Sequence, residues 1–398
     1  MIIDMKNILE NSINSGSLIL PTDKKFSNIV DLSKTLAKLS GNQFSIKNED
    51  RKSDELLKMI GIPDHLIFVI IDGLGMNILR NLDSNNFLNT NLKSELLTVF
   101  PSSTPVALTS FSTGLWPSEH GITNWFTYLP EINKVSTIIH FSTRAEGKNL
   151  AEFGLTPKDV YKFSSIIENS TYDAKSILPS YIANSEFSLH WQSPSIPYEK
   201  FSDGINITID QIKHAKNRSF TFLYSPIVDA TAHQKGVYHE DTIKSAQKIN
   251  NELDRLYSTI NGQSKIIVTA DHGLLDIPKN KIFTIPDNEL QKCINNEPWG
   301  DMRAVFFDVK KSKTEEFQNL LLKSTEENFA LLSIDEVVEI GLFGPNQFSS
   351  IAKSRLGTHI AISLGESIIS YKEAPYENMV GAHSGITPEE LFVPLIIA

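Results

Sequence analysis

The sequence predicts an α/β protein in which a mostly parallel central sheet is flanked by helices and a small α+β cap is inserted near the C-terminal end. Three observations lead to that class. Short apolar runs close on acidic residues, helical patterns lie between them, and the chain changes character over 280–375 before a last apolar run resumes the earlier pattern.

Residues 1–63 read as an N-terminal segment with one helix expected near 27–39, and the polar run SGNQFSIKNEDRKSDE at 40–55 reads as a linker. The core is expected over 64–279. LIFVIIDG (66–73) is closed by Asp72, FTFLYSPIVD (220–229) ends in Asp229, and KIIVTADHG (265–273) carries Asp271 and His272. Their hydrophobicity is continuous rather than alternating, which is the mark of strands buried on both faces. Between the second and third runs, residues 240–260 repeat Ile243, Ala246, Ile249, Leu253 and Leu256 at three- and four-residue spacing, a helix with one apolar face. Ligands of such sheets bind beyond the carboxyl ends of the strands, where these acidic residues fall. Over 280–375, RAVFFDV (303–309), a helical pattern at 314–323, ALLSIDEVVEIGLFG (330–344) and HIAISLGESIISY (359–371) make up the expected cap. GAHSGITPEELFVPLIIA then ends in an apolar run that reads as a last core strand, so 376–398 rejoins the core.

At 398 residues the chain exceeds the size at which one core stops growing, consistent with a core plus a lobe. A formal net charge of -10 opposes nonspecific binding to nucleic-acid polymers, which requires a basic surface. It is compatible with a small anionic substrate if divalent cations are present. The single Cys293 excludes internal disulfides and a thiolate zinc cage. The N-terminus lacks a signal-peptide pattern and no apolar stretch approaches the ~20 residues that span a bilayer, so a soluble, cytoplasmic protein with no membrane partner is expected.

Six residues have metal-ligating chemistry: Asp72, Asp229, His233, Asp271, His272 and His383. Singly, each has an ordinary explanation. Asp72 could form a turn, Asp229 and His233 could pair along one helical turn, and His383 could sit exposed in a loop. Together they fall at the ends of the expected core strands. Six carboxylate and imidazole donors exceed one tetrahedral zinc and suit two divalent ions ~3.5–4 Å apart with a substrate oxygen between them. Thr104, followed by Pro105, reads both as a helix N-cap and as a hydroxyl held where a phosphate would bind.

The motifs VIIDGLG, FPSSTPVALTSFSTGLWPSEHGI, DATAH, TADHG and GAHSG, in that order, resemble those of the alkaline phosphatase superfamily, specifically its type I phosphodiesterase/nucleotide pyrophosphatase branch. The resemblance covers about 64–275 and the last 20 residues. It implies an alkaline phosphatase-like core and two divalent metal ions, zinc or manganese. Asp229, His233 and His383 would lie on one metal, with Asp72, Asp271 and His272 on the other. It also implies Thr104 as a nucleophile that touches metal, Asn124 on a phosphoryl oxygen, and a small phosphorylated substrate such as a nucleotide.

Two departures accompany the resemblance. PVAL (105–108) replaces the aromatic-Pro-Asn that usually follows the threonine, and Asn124 stands one residue closer to HGI than in the family. Trp125, Phe126 and Tyr128 could stack on a substrate or simply pack. Arg303 could contact substrate or lie on the surface. A sulfatase is disfavoured because Ala107 stands where an arginine is needed and Cys293 is remote. A phosphoglycerate mutase would be longer and use serine. Phosphonoacetate hydrolysis, phosphomonoesterase activity and a non-enzymatic metal-bound scaffold stay open at this point, as does the oligomeric state.

Overall fold

The computed structural model describes residues 4–42, 51–189, 194–260, 262, 264–371 and 379–398. Its larger sheet orders seven strands as Leu92–Leu97, Phe392–Ile397, Ser264–Thr269, His65–Ile71, Ser219–Ser225, Asp173–Pro179 and Ser195–Tyr198. The last five of these are parallel to one another, while Phe392–Ile397 runs antiparallel to both its neighbours. After His65 the central strand is apolar, and Leu66 to Ile71 are wholly buried, as that unbroken hydrophobicity requires. Helix Glu240–Thr259 buries Ala246, Ile249, Leu253 and Leu256, the face its spacing predicts.

Register brings the acidic residues together. Ile71 pairs with Ser225 and Ile70 with Thr269, so Asp72, the turn leading to Asp229, and Asp271 emerge at one edge. A parallel final strand would have put His383, which precedes it, at the opposite edge. The antiparallel direction of Phe392–Ile397 brings it to the correct one.

The second sheet also has seven strands, all antiparallel: Phe329–Ser333, His359–Ser363, Ala304–Phe307, Trp299–Asp301, Phe126–Leu129, Lys134–Thr137 and Ser142–Thr143. The sheet expected within 280–375 therefore takes its last three strands from 126–143. Those strands are two to four residues long, too short for a periodicity to show. Arg303 is neither a substrate contact nor a surface residue. It is fully buried, with Nε and Nη2 donating to the Glu390 carboxylate at 2.6 and 3.0 Å and Nη1 to Ser367 O at 2.9 Å. Glu390 also accepts from the Gly385 and Thr387 amides, so the pair clamps the loop that carries His383 to the second sheet.

The N-terminal segment spreads over both parts. Helix Ile29–Leu39 is closed by a reciprocal Asn28–Asp31 cap and lies on helix Thr104–Thr113, where Ser33 Oγ donates to Phe111 O at 2.6 Å. Helix Met5–Ser15 packs on Phe329–Ser333 of the second sheet. Of the expected linker 40–55, residues 43–50 lie outside the described residues. Its end belongs to helix Arg51–Ile60, which buries Ser53, Leu56 and Ile60 at helical spacing; the polar composition hid that stripe. Among the described residues no helix is long and apolar enough to cross a membrane.

Candidate active site

Each acidic or imidazole side chain is placed by a short connection at the sheet edge. Asp72 follows the central strand and is turned by Gly73, whose φ is +73°. A Cβ there would lie 2.9 Å from the Asp229 Cα, so only glycine lets these two segments approach. Asp229 and His233 are one turn apart on helix Ile227–Lys235. Asp271 and His272 leave strand Ser264–Thr269, and Gly273 meets the Glu389 carbonyl so closely that a Cβ would lie 2.0 Å from it. His383 follows the short strand Gly381–Ala382.

Hydrogen bonds decide which atoms of these groups remain available. The Nδ1 atoms of His233, His272 and His383 lie 2.7, 3.2 and 2.8 Å from the carbonyls of Gly381, Gly273 and Ser102. A carbonyl only accepts, so each Nδ1 carries the hydrogen, and in the neutral ring Nε2 keeps its lone pair. Asp271 Oδ1 accepts from the amides of Gly73 and His272 at 3.1 and 3.0 Å, and Asp72 Oδ2 accepts from the Tyr224 hydroxyl. Asp72 Oδ1 and Asp271 Oδ2 are buried with no hydrogen-bond partner among the described residues, and Asp229 Oδ1 has only the His233 Nε2 beside it at 3.2 Å. Buried oxygens of this kind cost free energy unless a donor or cation meets them.

The free atoms cluster. His272 Nε2 is 3.5 Å from both Asp72 Oδ1 and Asp271 Oδ2, and those three residues offer ligand atoms within 4.8 Å of one another. Asp229, His272 and His383 do the same, so His272 is common to both groups. His233 joins through Asp229, its Nε2 lying 3.2 Å from Oδ1. The rings of His272 and His383 stack with centroids 3.8 Å apart. Burial, with Asp271 and Asp229 close by, pushes the Asp72 carboxyl well above the usual carboxylate range. Burial and the neighbouring His272 hold His383 well below the usual imidazole range, which keeps its lone pair free. This donor set of three carboxylates and three imidazoles facing inward fits divalent metal.

Thr104 opens helix Thr104–Thr113, but Ser103, in extended conformation, occupies the N-cap position. The Val106 and Ala107 amides both bond to Ser103 O and Pro105 has no N–H. The helix start thus contributes its dipole more than a nest of amide donors. The Thr104 hydroxyl makes no capping bond; it lies 3.1 Å from His272 Nε2 and is 4% exposed. Thr104, Asp72 and Asp229 line one cavity.

Asn124 is engaged in bonds within the protein. It is buried, its Nδ2 donates to Ala304 O at 3.2 Å and its Oδ1 accepts from the Trp125 amide at 2.8 Å, so it ties the turn to the second sheet. It is not among the residues lining that cavity. Of the three aromatics after it, Trp125 faces the cavity, Phe126 lies under the Arg144 guanidinium and Tyr128 packs on Trp299. Sequence reasoning missed Tyr224. Its only signal was a hydroxyl-bearing side chain near the end of a fully buried strand.

Residues 66–383 match the model of a family described as type I phosphodiesterase / nucleotide pyrophosphatase. Venom phosphodiesterases 2 and 1 of Crotalus adamanteus are each 25% identical to this chain over 237 residues, covering 54% of it and 28% and 26% of their own lengths. The chain thus spans little more than a quarter of these relatives. Murine ectonucleotide pyrophosphatase/phosphodiesterase 5 superposes with a TM-score of 0.63 at 18% identity, over 83% of this chain and 87% of that one. The human counterpart gives the same TM-score and coverage at 16% identity. An inactive murine form in complex with AMP superposes equally well.

Proposed function

This chain belongs to the type I phosphodiesterase / nucleotide pyrophosphatase family, and from that membership we propose that it is a metal-dependent phosphoric ester hydrolase, cleaving small phosphodiesters through a phospho-threonine on Thr104. The observation that carries the reading is the convergence of three buried carboxylate oxygens and the histidine Nε2 atoms beside the Thr104 hydroxyl. Asp72, Asp271 and His272 would hold one divalent cation, zinc or manganese, and Asp229, His233 and His383 the other. When bound, such cations offset the charge of phosphoryl oxygens and lower the pKa of a neighbouring hydroxyl.

The chain's own groups supply the rest. Thr104 Oγ1 is held at the positive end of its helix and attacks phosphorus in line. The Oγ1–P bond forms as the bond to the leaving oxygen breaks, and the alcohol departs with a proton equivalent to the one Thr104 gives up. Water then adds at phosphorus, the phosphomonoester leaves, and a proton returns to Oγ1. The carbonyls of Ser102, Gly273 and Gly381 hold the imidazoles in one tautomer throughout. The AMP complex of the murine neighbour supports nucleotide esters as substrates to assay.

Metal analysis and one substitution test the reading. Purified protein should carry about two divalent ions per chain and hydrolyse bis-p-nitrophenyl phosphate, and Thr104→Ala should lose at least about 10³-fold in kcat while keeping its metals. A metal-free protein inert toward phosphodiesters, monoesters and phosphonoacetate would overturn the enzyme reading in favour of a scaffold.

A further inference from the structure

The cavity lined by Thr104, Asp72 and Asp229 is a chamber of about 390 Å³ that takes in further side chains. Most of those further walls are apolar. Leu108, Leu178, Phe187 and Phe222, each no more than 6% exposed, form them with Trp125, whose ring is braced edge-on by His140. Leu108 belongs to the PVAL stretch, where the sequence leaves its family's pattern.

Away from Asp72 and Asp229, the polar groups in the described lining are few and uncharged. Ser185 Oγ donates to Ser188 Oγ and accepts from the Ser188 amide, so both serines are engaged with each other. Burial holds the His140 imidazole below its usual range, leaving that ring uncharged at neutral pH. Among the described lining residues there is no lysine, arginine, asparagine or glutamine. Tyr181 lines the cavity yet is 74% exposed, so an aromatic side chain stands where the cavity meets solvent. A largely apolar cavity with an exposed aromatic at its edge marks a binding site.

We infer that one ester substituent of the substrate is an uncharged apolar group, alkyl or aryl, seated in this chamber while the phosphoryl group sits at Thr104. The inference rests on the phosphodiesterase reading and narrows it to single-phosphate diesters. A nucleoside would set several ribose hydroxyls and base edges against walls whose free polar groups are few, the Trp125 indole, the His140 ring and the Tyr181 hydroxyl, and a polyphosphate arm would bring charge with no lysine or arginine among the described lining residues to meet it. Each buried methylene, by contrast, adds hydrophobic stabilisation.

The test uses metal-loaded protein and a series sharing one leaving group: methyl, hexyl, phenyl and thymidine-5′ esters of p-nitrophenyl phosphate. The P–O bond to p-nitrophenol breaks in every case, so differences report the other substituent. The hexyl and phenyl esters should exceed the methyl ester in kcat/KM by about tenfold or more, and the thymidine ester should fall below both. Trp125→Ala and the rim variant Tyr181→Ala should each narrow the hexyl-to-methyl ratio several-fold. Because Tyr181 is exposed, its variant keeps the test valid if Trp125→Ala fails to fold. Equal kcat/KM across methyl, hexyl and phenyl, or a thymidine ester cleaved best, would overturn the inference while leaving the phosphodiesterase reading intact. No turnover of any ester, the methyl ester included, would overturn both.

Discussion

At Tyr224 a single hydroxyl fixes which oxygen of Asp72 is left for a cation, because the bond to Oδ2 leaves Oδ1 facing His272. Tyr224→Phe should therefore weaken zinc at the Asp72 side by about 10–100-fold, read by competition with a chromophoric chelator, and leave the Asp229 side unchanged. Asp229→Asn should do the reverse, and unchanged occupancy of both sites would remove Asp229 from the ligand set. His233 adds a pH dependence. Burial works to lower it, but Asp229, the Gly381 carbonyl and Asp301 outweigh burial and carry the ring up to about 9 in the metal-free protein. A cation must displace that proton, so apparent metal affinity should rise with pH until about 9 and then level; titrations at pH 6, 7 and 8 giving one affinity would refute the coupling. The same proton stabilises the metal-free fold. Its contribution is full below the unfolded value near 6.5 and is lost as pH rises through about 9. At this scale the sequence was informative wherever side-chain chemistry is distinctive, since the structure brings Thr104 and the six acidic and imidazole groups to one edge of the sheet. It was silent on the carbonyls of Ser102, Gly273 and Gly381, since a backbone acceptor has no residue signature, and it left Asn124 between two roles because a turn amide and a phosphoryl donor look alike in one chain.

Among elements, the loop 383–391 depends on a buried ion pair. Replacing Glu390 with alanine would leave the Arg303 guanidinium charged, buried and short of its main acceptor, at a cost of roughly 3–5 kcal/mol, measurable as a lower urea midpoint. Because the loop carries His383, metal at the Asp229 side should weaken as well. Exchanging both residues for apolar ones should restore much of the stability. Neither partner could be recognised beforehand, since Arg303 and Glu390 are 87 residues apart and each resembles an ordinary surface charge. Long elements were easier to read. Helix Glu240–Thr259 and strand His65–Ile71 declare themselves through period and run length. The direction of Phe392–Ile397 does not, because an apolar run reads the same either way and only the strand it pairs with settles the matter.

In the whole molecule, the expected α/β class with a mostly parallel sheet agrees with the structure, since continuous apolar strands separated by amphipathic helices have few other ways to be buried. The three inward carboxylates make the core dependent on what neutralises them. Chelation of the metals should lower the thermal midpoint, and zinc at a hundred times its dissociation constant should return about 2.7 kcal/mol per site; calorimetry showing no shift would mean that the cluster holds no cation. The boundary between core and cap was less legible, because the second sheet takes strands from both sides of the segment that carries Asp229, Asp271 and His272. That interleaving bears on how the protein is made. Asn124 and its partner Ala304 are 180 residues apart, so at ~5–20 residues per second a ribosome needs roughly 10 to 40 s to deliver the second after the first. For that interval the hairpin at 126–143 has an unpaired edge, the kind of surface that recruits strands from other nascent chains. Its brevity is then protective: a strand as short as Phe126–Leu129 offers little for a stray partner to hold until the correct one is synthesised.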